Sequence, residues 1–277
     1  MQDRTAKHLS SIHRILYRAL RRARAEGWLP LTLDAEDRLL EVAREELDAF
    51  AREGLAGLPV LWELERDGME LELRRFVLDE ASEHGAYVPA HFEVCFGQRP
   101  RGDEGEVGSP EGVLFDLGDA GAVLLRGKID RIDLRADGQA ARVLDYKTGS
   151  SSGAPKGDSF AGGTALQLPL YLRAAEKLLG EATAVEQAAY WYLTERGGHK
   201  RVVFSREALD DKSGDLTAIL TTIAEGIAEG RFFVGLGDPP CRNCDCRAVC
   251  GTAVHAVARR KADDPAAQPY QQMREIE

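Results

Sequence analysis

Residues 127–149, GKIDRIDLRADGQAARVLDYKTG, place two aspartates and a lysine in the pattern of a β-hairpin. The flanking runs are rich in apolar and β-branched residues, and Asp-Gly at 137–138 is a strong signal for a two-residue turn. With this turn the numbers of facing residues add up to 275, so Asp130 faces Asp145, and Lys147 shares the face of Asp145. Facing carboxylates repel each other, and a divalent cation between them would offset that repulsion. The pattern is typical of a site for metal-assisted hydrolysis of a phosphodiester bond.

Each of the three side chains has a role available in such a reaction. Asp130 and Asp145 offer the oxygen ligands that Mg²⁺ prefers. Lys147 would orient the attacking water, help to deprotonate it, or stabilise charge on the phosphate, and the residues alone do not choose between these roles. The competing interpretation is a surface hairpin on which the aspartates and the lysine only form cross-strand ion pairs.

Three further segments stand around the hairpin in a fixed order. Together with the hairpin they make four segments. In chain order these are IHRIL at 12–16, Asp130 with Asp145-Tyr146-Lys147, QLPLY at 167–171, and the C-x2-C-x5-C pattern of Cys241, Cys244 and Cys250. They resemble the helical histidine, D…(D/E)xK, QxxxY and iron–sulfur motifs of the PD-(D/E)XK nuclease superfamily. The resemblance is to the RecB/AddB-type branch, and it extends over nearly the whole chain.

The resemblance implies an α/β fold, a restriction-endonuclease-like core in which helices flank a central mixed β-sheet, with a helical N-terminal part. It also implies a metal site whose ligands are His13, Asp130, Asp145 and the backbone carbonyl of Tyr146. Because imidazole is a softer ligand than Mg²⁺ prefers, Mn²⁺ would support activity as well as Mg²⁺ or better. The alternative for His13 is an ordinary surface or packing residue of a helix.

Several polar residues near these motifs have two interpretations each. Glu93 resembles a glutamate that precedes the hairpin in relatives, and otherwise it is a solvent-facing strand residue. Gln167 and Tyr171 are four residues apart on one helix face, so they can reach the same phosphate or metal-bound water, and otherwise they form a polar stripe. Asp133 has the opposite strand parity to Asp130, so we expect it outside the metal site, paired with a neighbouring arginine.

The cysteine segment matches the family pattern only in part. Cluster-bearing relatives supply one further cysteine before the histidine motif, and the first twelve residues of this chain contain none. Cys246 would serve as a substitute fourth ligand, alongside the three that match the pattern. A 4Fe–4S cluster, incomplete in this chain, is the first interpretation, zinc the second and free thiols the third. Cys95 is expected to be a buried packing residue.

Composition places the chain among ordinary globular proteins. It has 277 residues, 44% of them apolar, which is enough for a substantial core. The sequence has no apolar run near the ~20 residues of a membrane span and no signal-peptide pattern, so a cytoplasmic location and no membrane partner are expected. Five cysteines, four of them within ten residues, favour metal or cluster ligation over a disulfide framework.

The charge distribution bears on DNA as a partner. The net charge is −10, whereas phosphate contacts normally come from lysine and arginine. Residues 1–26 carry seven basic side chains against two acidic ones, and residues 34–80 carry fifteen acidic against six basic. We interpret the acidic segment as a solvated surface that faces away from the substrate. The alternative is that the chain binds no nucleic acid.

Hydrophobic periodicity predicts the elements that position these residues. The expected helices are an N-terminal one ending at Gly27, then 34–54, 58–81, 164–179 and 206–229, and the expected strands are 90–96, 112–117, 122–135, 141–148, 184–194 and 202–204. Residues 148–163 are predicted to form an exposed loop. We expect one nuclease domain over 1–255, within a longer protein as its C-terminal part, and a frayed polar tail over 256–277.

The resemblance to the RecB/AddB-type branch implies a Mg²⁺- or Mn²⁺-dependent DNA nuclease, an exonuclease on single-stranded ends that acts with a helicase in double-strand break repair and recombination. The chain has no GxxxxGK[ST] motif, so the helicase would be another domain or subunit. One alternative is a stand-alone nuclease of CRISPR adaptation or phage defence. Another is a catalytically silent nuclease fold that serves as a DNA- or protein-binding scaffold.

Overall fold

The fold is taken from a computed structural model, which describes residues 2–83, 86–100, 105–233, 244–245 and 247–277. The helices are α1 (Gln2–Glu26), α2 (Glu36–Arg52), α3 (Pro59–Ser82), α4 (Gln167–Leu179), α5 (Arg206–Asp211), α6 (Ser213–Ala228), α7 (Arg247–Cys250), α8 (Val254–Lys261) and α9 (Gln268–Arg274). The strands are β1 (Tyr87–Phe96), β2 (Glu106–Ser109), β3 (Val113–Asp116), β4 (Ala122–Leu125), β5 (Gly127–Arg135), β6 (Ala140–Lys147), β7 (Ala184–Tyr192) and β8 (Arg201–Ser205).

Six strands form one mixed sheet in the order β2-β1-β5-β6-β7-β8, and β3 pairs with β4. β1–β2 and β6–β7 are parallel pairs, whereas β1–β5, β5–β6 and β7–β8 are antiparallel. Helices flank this sheet, and three of them precede it in the chain. The predicted fold class, with its helical N-terminal part, is therefore confirmed.

The apolar stripe of α1 forms part of the main core, as its 3.6-residue period predicts. Its members Ile12, Ile15, Leu16, Ala19 and Leu20 are all buried. They share one cluster with apolar residues of α2, α3 and the sheet strands β1, β6 and β7. This packing fixes the face of α1 that carries His13, one position after Ile12.

The β5–β6 hairpin has the register that the Asp-Gly turn predicts. Arg131 pairs with Leu144 and Leu134 with Ala141, and each pair of numbers adds up to 275. Gly138 has a φ of 70°, a left-handed conformation that glycine adopts without steric cost, and its N–H donates to the Arg135 carbonyl at 2.8 Å. Turn chemistry and strand period together therefore set which side chains share a face.

Several boundaries differ from the expected ones. The expected strand 122–135 is divided at Arg126 into β4 and β5, which belong to different sheets, and the expected helix 206–229 is divided near Lys212 into α5 and α6. The short parallel strand β2 was not expected. Residues 256–277 are not a frayed tail, because α8 and α9 lie there with Ala258 and Met273 buried. Among the described residues, no helix combines the length and the apolar character needed to cross a membrane.

The described chain divides into two compact units. The first contains residues 1–114, 124–158 and 167–209, with helices α1 to α4 and the six-stranded sheet. The second contains residues 115–123, 159–166 and 210–277, with helices α6 to α9. The boundary of the nuclease domain at 255 stays a prediction.

The acidic segment 34–80 does not only face solvent, because α2 supplies carboxylates to the arginines of α1. Nε of Arg14 donates to Oε2 of Glu46 at 2.7 Å, and Arg22 lies 3.6 Å from Glu45. Whether the rest of this segment faces away from the substrate stays a prediction. Some of the positive charge of α1 is balanced within the protein and is not freely available to phosphate groups.

Candidate active site

The two aspartates lie where the β5–β6 ladder ends. The regular pairing runs as far as Arg131 and Leu144. At the next position Oδ2 of Asp130 accepts a hydrogen bond of 2.8 Å from the N–H of Tyr146. Asp130 and Asp145 are both buried, with 8% and 3% of their surface exposed. Two carboxylates are thus held together at one end of the hairpin, in a place where water cannot solvate them well.

His13 reaches this end of the hairpin from helix α1. Its Nε2 lies 3.1 Å from the carbonyl oxygen of Tyr146, and its Nδ1 lies 3.9 Å from Oδ2 of Asp130. If Nε2 carries the proton that the carbonyl accepts, Nδ1 presents a lone pair toward Asp130. Burial lowers the pKa of His13, which favours the neutral imidazole that ligates metals. The structure therefore places His13 beside the aspartates, as the helical motif predicts.

Glu93 joins the same cluster from strand β1. Its neighbours Phe92 and Val94 pair with Arg131 and Ile129, which leaves Glu93 opposite Asp130 in the antiparallel register. The backbone of Glu93 has a φ of 49°, an uncommon conformation for a residue with a Cβ atom, and such strain is concentrated at functional sites. Its side chain is buried, so the solvent-facing alternative is wrong.

The donor atoms of His13, Glu93 and Asp130 fit a divalent cation. One ligand atom from each of these residues lies within 4.8 Å of the others. Burial and the neighbouring Asp130 raise the pKa of Glu93 to about 7 and that of Asp145 to about 6. Burial also raises the pKa of Asp130. Such carboxyl groups gain most from a nearby positive charge, and oxygen ligands with one imidazole suit Mg²⁺ or Mn²⁺.

Gln167 connects the metal-facing residues to helix α4. Its Nε2 donates to Oδ1 of Asp145 at 2.8 Å and to the hydroxyl of Tyr171 at 3.1 Å, and its Oε1 accepts from Nζ of Lys147 at 3.1 Å. Pro169 lies within the first turn of α4, where its missing N–H costs little. Gln167 and Tyr171 share a helix face as their spacing predicts, and one amide orients three partners.

Lys147 has a position fixed by three neighbours. Its Nζ forms an ion pair with Oδ2 of Asp145, donates to Gln167, and lies 4.7 Å from the centre of the Tyr190 ring. Apart from this ion pair, Oδ2 of Asp145 is buried and has no partner in hydrogen-bonding geometry among the described residues. That oxygen therefore has capacity for a further ligand. Tyr190 was not predicted, although its pairing with Asp145 across β6–β7 places it beside the site.

Lys128 is a second lysine at the site that the motif analysis did not assign. Its ammonium forms an ion pair with Oε2 of Glu93. The signal was present in the sequence, because Lys128 is two residues before Asp130 and therefore shares its strand face.

On the opposite face of the hairpin, Asp133 pairs with arginines, as its parity predicts. Its Oδ2 accepts hydrogen bonds of 2.9 Å from both Arg131 and Arg142. Arg131 is fully buried and also donates to Glu80 at 2.8 and 3.0 Å and to the hydroxyl of Tyr146 at 3.2 Å. This buried network holds the residue whose backbone carbonyl and N–H contact His13 and Asp130.

The structure describes two of the four cysteines of the C-terminal motif. Cys241 and Cys246 lie outside the described residues. Cys244 is exposed and Cys250 is half-buried, and neither forms a disulfide with another described residue. Ligation of a cluster or of zinc therefore stays a prediction. Cys95 is buried in β1, as expected for a packing residue.

This combination of fold and site is that of a nuclease family. The family model of the PD-(D/E)XK nuclease superfamily matches residues 10–251, and the chain belongs to that superfamily. The resemblance that the motifs indicate is thus confirmed.

Three bacterial proteins, each named as a subunit of an ATP-dependent helicase/deoxyribonuclease, are similar to parts of the chain. That of Moorella thermoacetica is 38% identical over 139 residues, which are 47% of this chain and 11% of that protein. That of Symbiobacterium thermophilum is 43% identical over 103 residues, or 35% and 8% of the two chains. That of Alkaliphilus metalliredigens is 27% identical over 128 residues, or 44% and 10%. The chain matches about a tenth of the length of each relative.

Proposed function

We propose that this chain is a Mg²⁺- or Mn²⁺-dependent nuclease domain that hydrolyses phosphodiester bonds at single-stranded DNA ends. The observation that carries the proposal is the convergence of His13, Glu93 and Asp130 beside the linked residues Asp145, Gln167 and Lys147. Superfamily membership and the names of the relatives support a nuclease that acts on DNA.

The metal ligands in this proposal are His13, Glu93, Asp130, Asp145 and the carbonyl of Tyr146. A bound divalent cation would supply Lewis acidity, which stabilises negative charge developing on the phosphate. The chain contributes carboxylates that are already close together and desolvated, and the buried arginine network beneath the hairpin restrains them. Little reorganisation is then needed when substrate binds, and such preorganisation is a large source of catalysis.

Lys147, Gln167 and Tyr171 are proposed to act directly on the substrate. The ammonium group of Lys147 is oriented by Gln167 and Asp145, so it presents a positive charge and a donor to a phosphate oxygen or to the attacking water. Burial raises the pKa of Tyr171 to about 12, so its hydroxyl stays protonated and can donate a hydrogen bond. The hydroxyl accepts from Gln167, which leaves its own proton for a second partner.

We propose further that the nuclease works with a helicase domain or subunit in double-strand break repair. The support is the name shared by the three relatives, which combines helicase and deoxyribonuclease. A helicase exposes the single-stranded ends that such a site would accept.

The test is degradation of end-labelled single-stranded linear DNA with Mg²⁺, Mn²⁺ or EDTA. We expect cleavage with either metal, and a loss of about a hundredfold or more in Asp145→Ala and Lys147→Ala, which remove transition-state stabilisation. Asp137→Ala, at the exposed turn of the same hairpin, is the matched control and should cleave normally. Cleavage that persists in both site variants would refute the proposed site.

Absence of cleavage by the unmutated chain needs a second measurement, namely Mn²⁺ binding. Mn²⁺ binding that requires Asp130, together with metal-dependent DNA binding and no cleavage, would favour the silent scaffold. Absence of Mn²⁺ binding would refute the metal site itself.

A further inference from the structure

Lys128 lies at the metal-facing end of β5 and has no part in the function proposed above. It pairs with Cys95 of β1 across the sheet, and this register brings its side chain beside Glu93. Among the described residues, Lys128 forms one ion pair, and its partner is Glu93. An internal cation therefore already contacts one of the proposed metal ligands.

The two lysines of the site differ in how firmly they are held. Lys147 contacts Asp145, Gln167 and the ring of Tyr190. Lys128 has Glu93 as its ion-pair partner, and 43% of its side chain is exposed. A lysine with a flexible stem and one ionic partner can move into solvent at small cost, whereas Lys147 would lose three contacts.

Charge balance determines which of the two lysines a divalent ion would displace. Three carboxylates, those of Glu93, Asp130 and Asp145, face two ammonium groups, so one negative charge remains when all are ionised. A divalent cation would reverse the sign of the cluster, and it needs the same Glu93 carboxylate that Lys128 contacts. The ammonium of Lys128 would then lie next to a positive ion inside a poorly solvated site, which is unfavourable.

We infer that Lys128 is the counter-ion of Glu93 in the metal-free site, that a divalent ion bound by His13, Glu93 and Asp130 displaces it, and that the released ammonium binds the phosphate backbone of the substrate. The inference rests on the proposed function, since it requires both the metal and DNA. Its consequence is that loading of the metal creates a new phosphate contact, so metal binding and DNA binding strengthen each other.

The first test measures how fast each lysine of the intact chain is acetylated. A brief pulse of an amine-acetylating reagent is applied with EDTA or with saturating Mn²⁺, and peptides are quantified by mass spectrometry. We expect Mn²⁺ to raise the acetylation rate of Lys128 about threefold or more, as for a lysine released from an ion pair, with no change at the exposed Lys177. In Glu93→Gln, Lys128 should already react fast with EDTA, and Mn²⁺ should add nothing. An unchanged rate at Lys128 when Mn²⁺ is bound would overturn the inference.

The second test measures the Mn²⁺ affinity of Lys128→Met by calorimetry. Because a competing cation has been removed, we expect the Kd to fall about threefold or more, and Lys177→Met should leave it unchanged. A weaker Kd in Lys128→Met would show that Lys128 positions Glu93 for the metal, and this would overturn the displacement.

The third test measures binding of single-stranded DNA with Ca²⁺ or with EDTA. We expect Lys128→Met to weaken binding several-fold with Ca²⁺ only, and to reduce the salt dependence by about 0.7, the share of one phosphate contact on a single strand. An equal effect with EDTA, or no effect with either, would overturn the phosphate contact. If Mn²⁺ does not bind the unmutated chain, the proposed function fails as well, and the two failures are thereby distinguished.

Discussion

The two faces of the β5–β6 hairpin both carry buried acidic residues, but buried arginines balance them on one face and partly exposed lysines on the other. On one face Asp133 accepts hydrogen bonds from Arg131 and Arg142, and Arg131 also holds Glu80 with both terminal nitrogens. On the other face Asp130 has a backbone N–H as its hydrogen-bond donor, and Lys147 is shared between Asp145 and Gln167.

The comparison shows how adjacent residues of one hairpin can be assigned to stability or to chemistry. Buried charges that are fully paired resist change, because removing one partner leaves the other uncompensated. Glu93 and Asp145 each pair with one partly exposed lysine, but burial outweighs that pairing and raises their pKa values, so they retain affinity for a further cation. Because side chains alternate between the two faces of a strand, a register slip of one residue would move each set of acidic residues to the wrong face. Such a slip would destroy both the buried arginine network and the proposed metal site.

The largest effect on stability is expected when Arg131, the arginine shared by Asp133 and Glu80, is removed. We expect Arg131→Met to lower the free energy of unfolding by about 3–5 kcal/mol, since it removes the arginine that pairs with the buried Glu80 and leaves the buried Asp133 with Arg142 alone. Urea denaturation measures this. Arg135→Met removes the solvent-exposed arginine of the same strand and should change stability little. Similar losses in the two variants would show that the buried network is not the stabilising element.

The metal-facing side should respond to cations in a pH-dependent way. The pKa values of Glu93 and Asp145 are raised to about 7 and about 6, so in the metal-free protein these groups favour folding below about pH 4, and this contribution is lost as the pH rises through 6 and 7. A cation replaces protons at these groups. At one hundred times its Kd at pH 8, Mn²⁺ should stabilise the protein by about 3 kcal/mol, and much less at the same concentration at pH 5.5.

Thermal unfolding at the two pH values, with and without Mn²⁺, checks this prediction. Asp137→Asn, which alters a carboxyl group at the exposed turn, should behave like the unmutated chain. The same shift in Tm at pH 5.5 and pH 8 would contradict the proposed coupling between protons and metal.

A substitution on the metal-facing side should have a smaller and opposite effect on stability. Asp145→Asn should raise the stability of the metal-free protein at pH 8 by on the order of 2 kcal/mol, because the raised pKa means that the ionised form is disfavoured in the fold. The gain should shrink at pH 5, where Asp145 is protonated. Urea unfolding at both pH values measures it, and a net loss at pH 8 would mean that the ion pair with Lys147 outweighs the desolvation of the carboxylate.

The sequence allows the hairpin and its catalytic pattern to be predicted because local rules govern both. An Asp-Gly turn and a period of two are enough to place Asp130 next to Asp145 and to exclude Asp133. The spacing of Gln167 and Tyr171 likewise places both on one helix face, and their hydrogen bond confirms it. Assigning His13 and Glu93 to the same site required the family resemblance, since each comes from a distant segment.

The backbone conformation of Glu93, the burial of Arg131 and the pairing of Arg14 with Glu46 could not be predicted, because they depend on tertiary contacts. The left-handed backbone of Glu93 is a response to its surroundings, and no local signal favours it at a glutamate. Arginine in a strand is normally near the surface, whereas Arg131 is fully buried because Glu80 arrives from helix α3 to pair with it. The pairing of Arg14 with Glu46 similarly requires that α1 and α2 pack side by side.

The contact between His13 and the carbonyl of Tyr146 joins residues 133 positions apart, and Gln167 lies a further 21 positions along the chain. During synthesis the segment with His13 is made before the β5–β6 hairpin, and the hairpin is made before helix α4. A nascent chain that ends before residue 167 has the aspartates but lacks the amide that orients Asp145 and Lys147. The proposed site can therefore be complete only after helix α4 has been made.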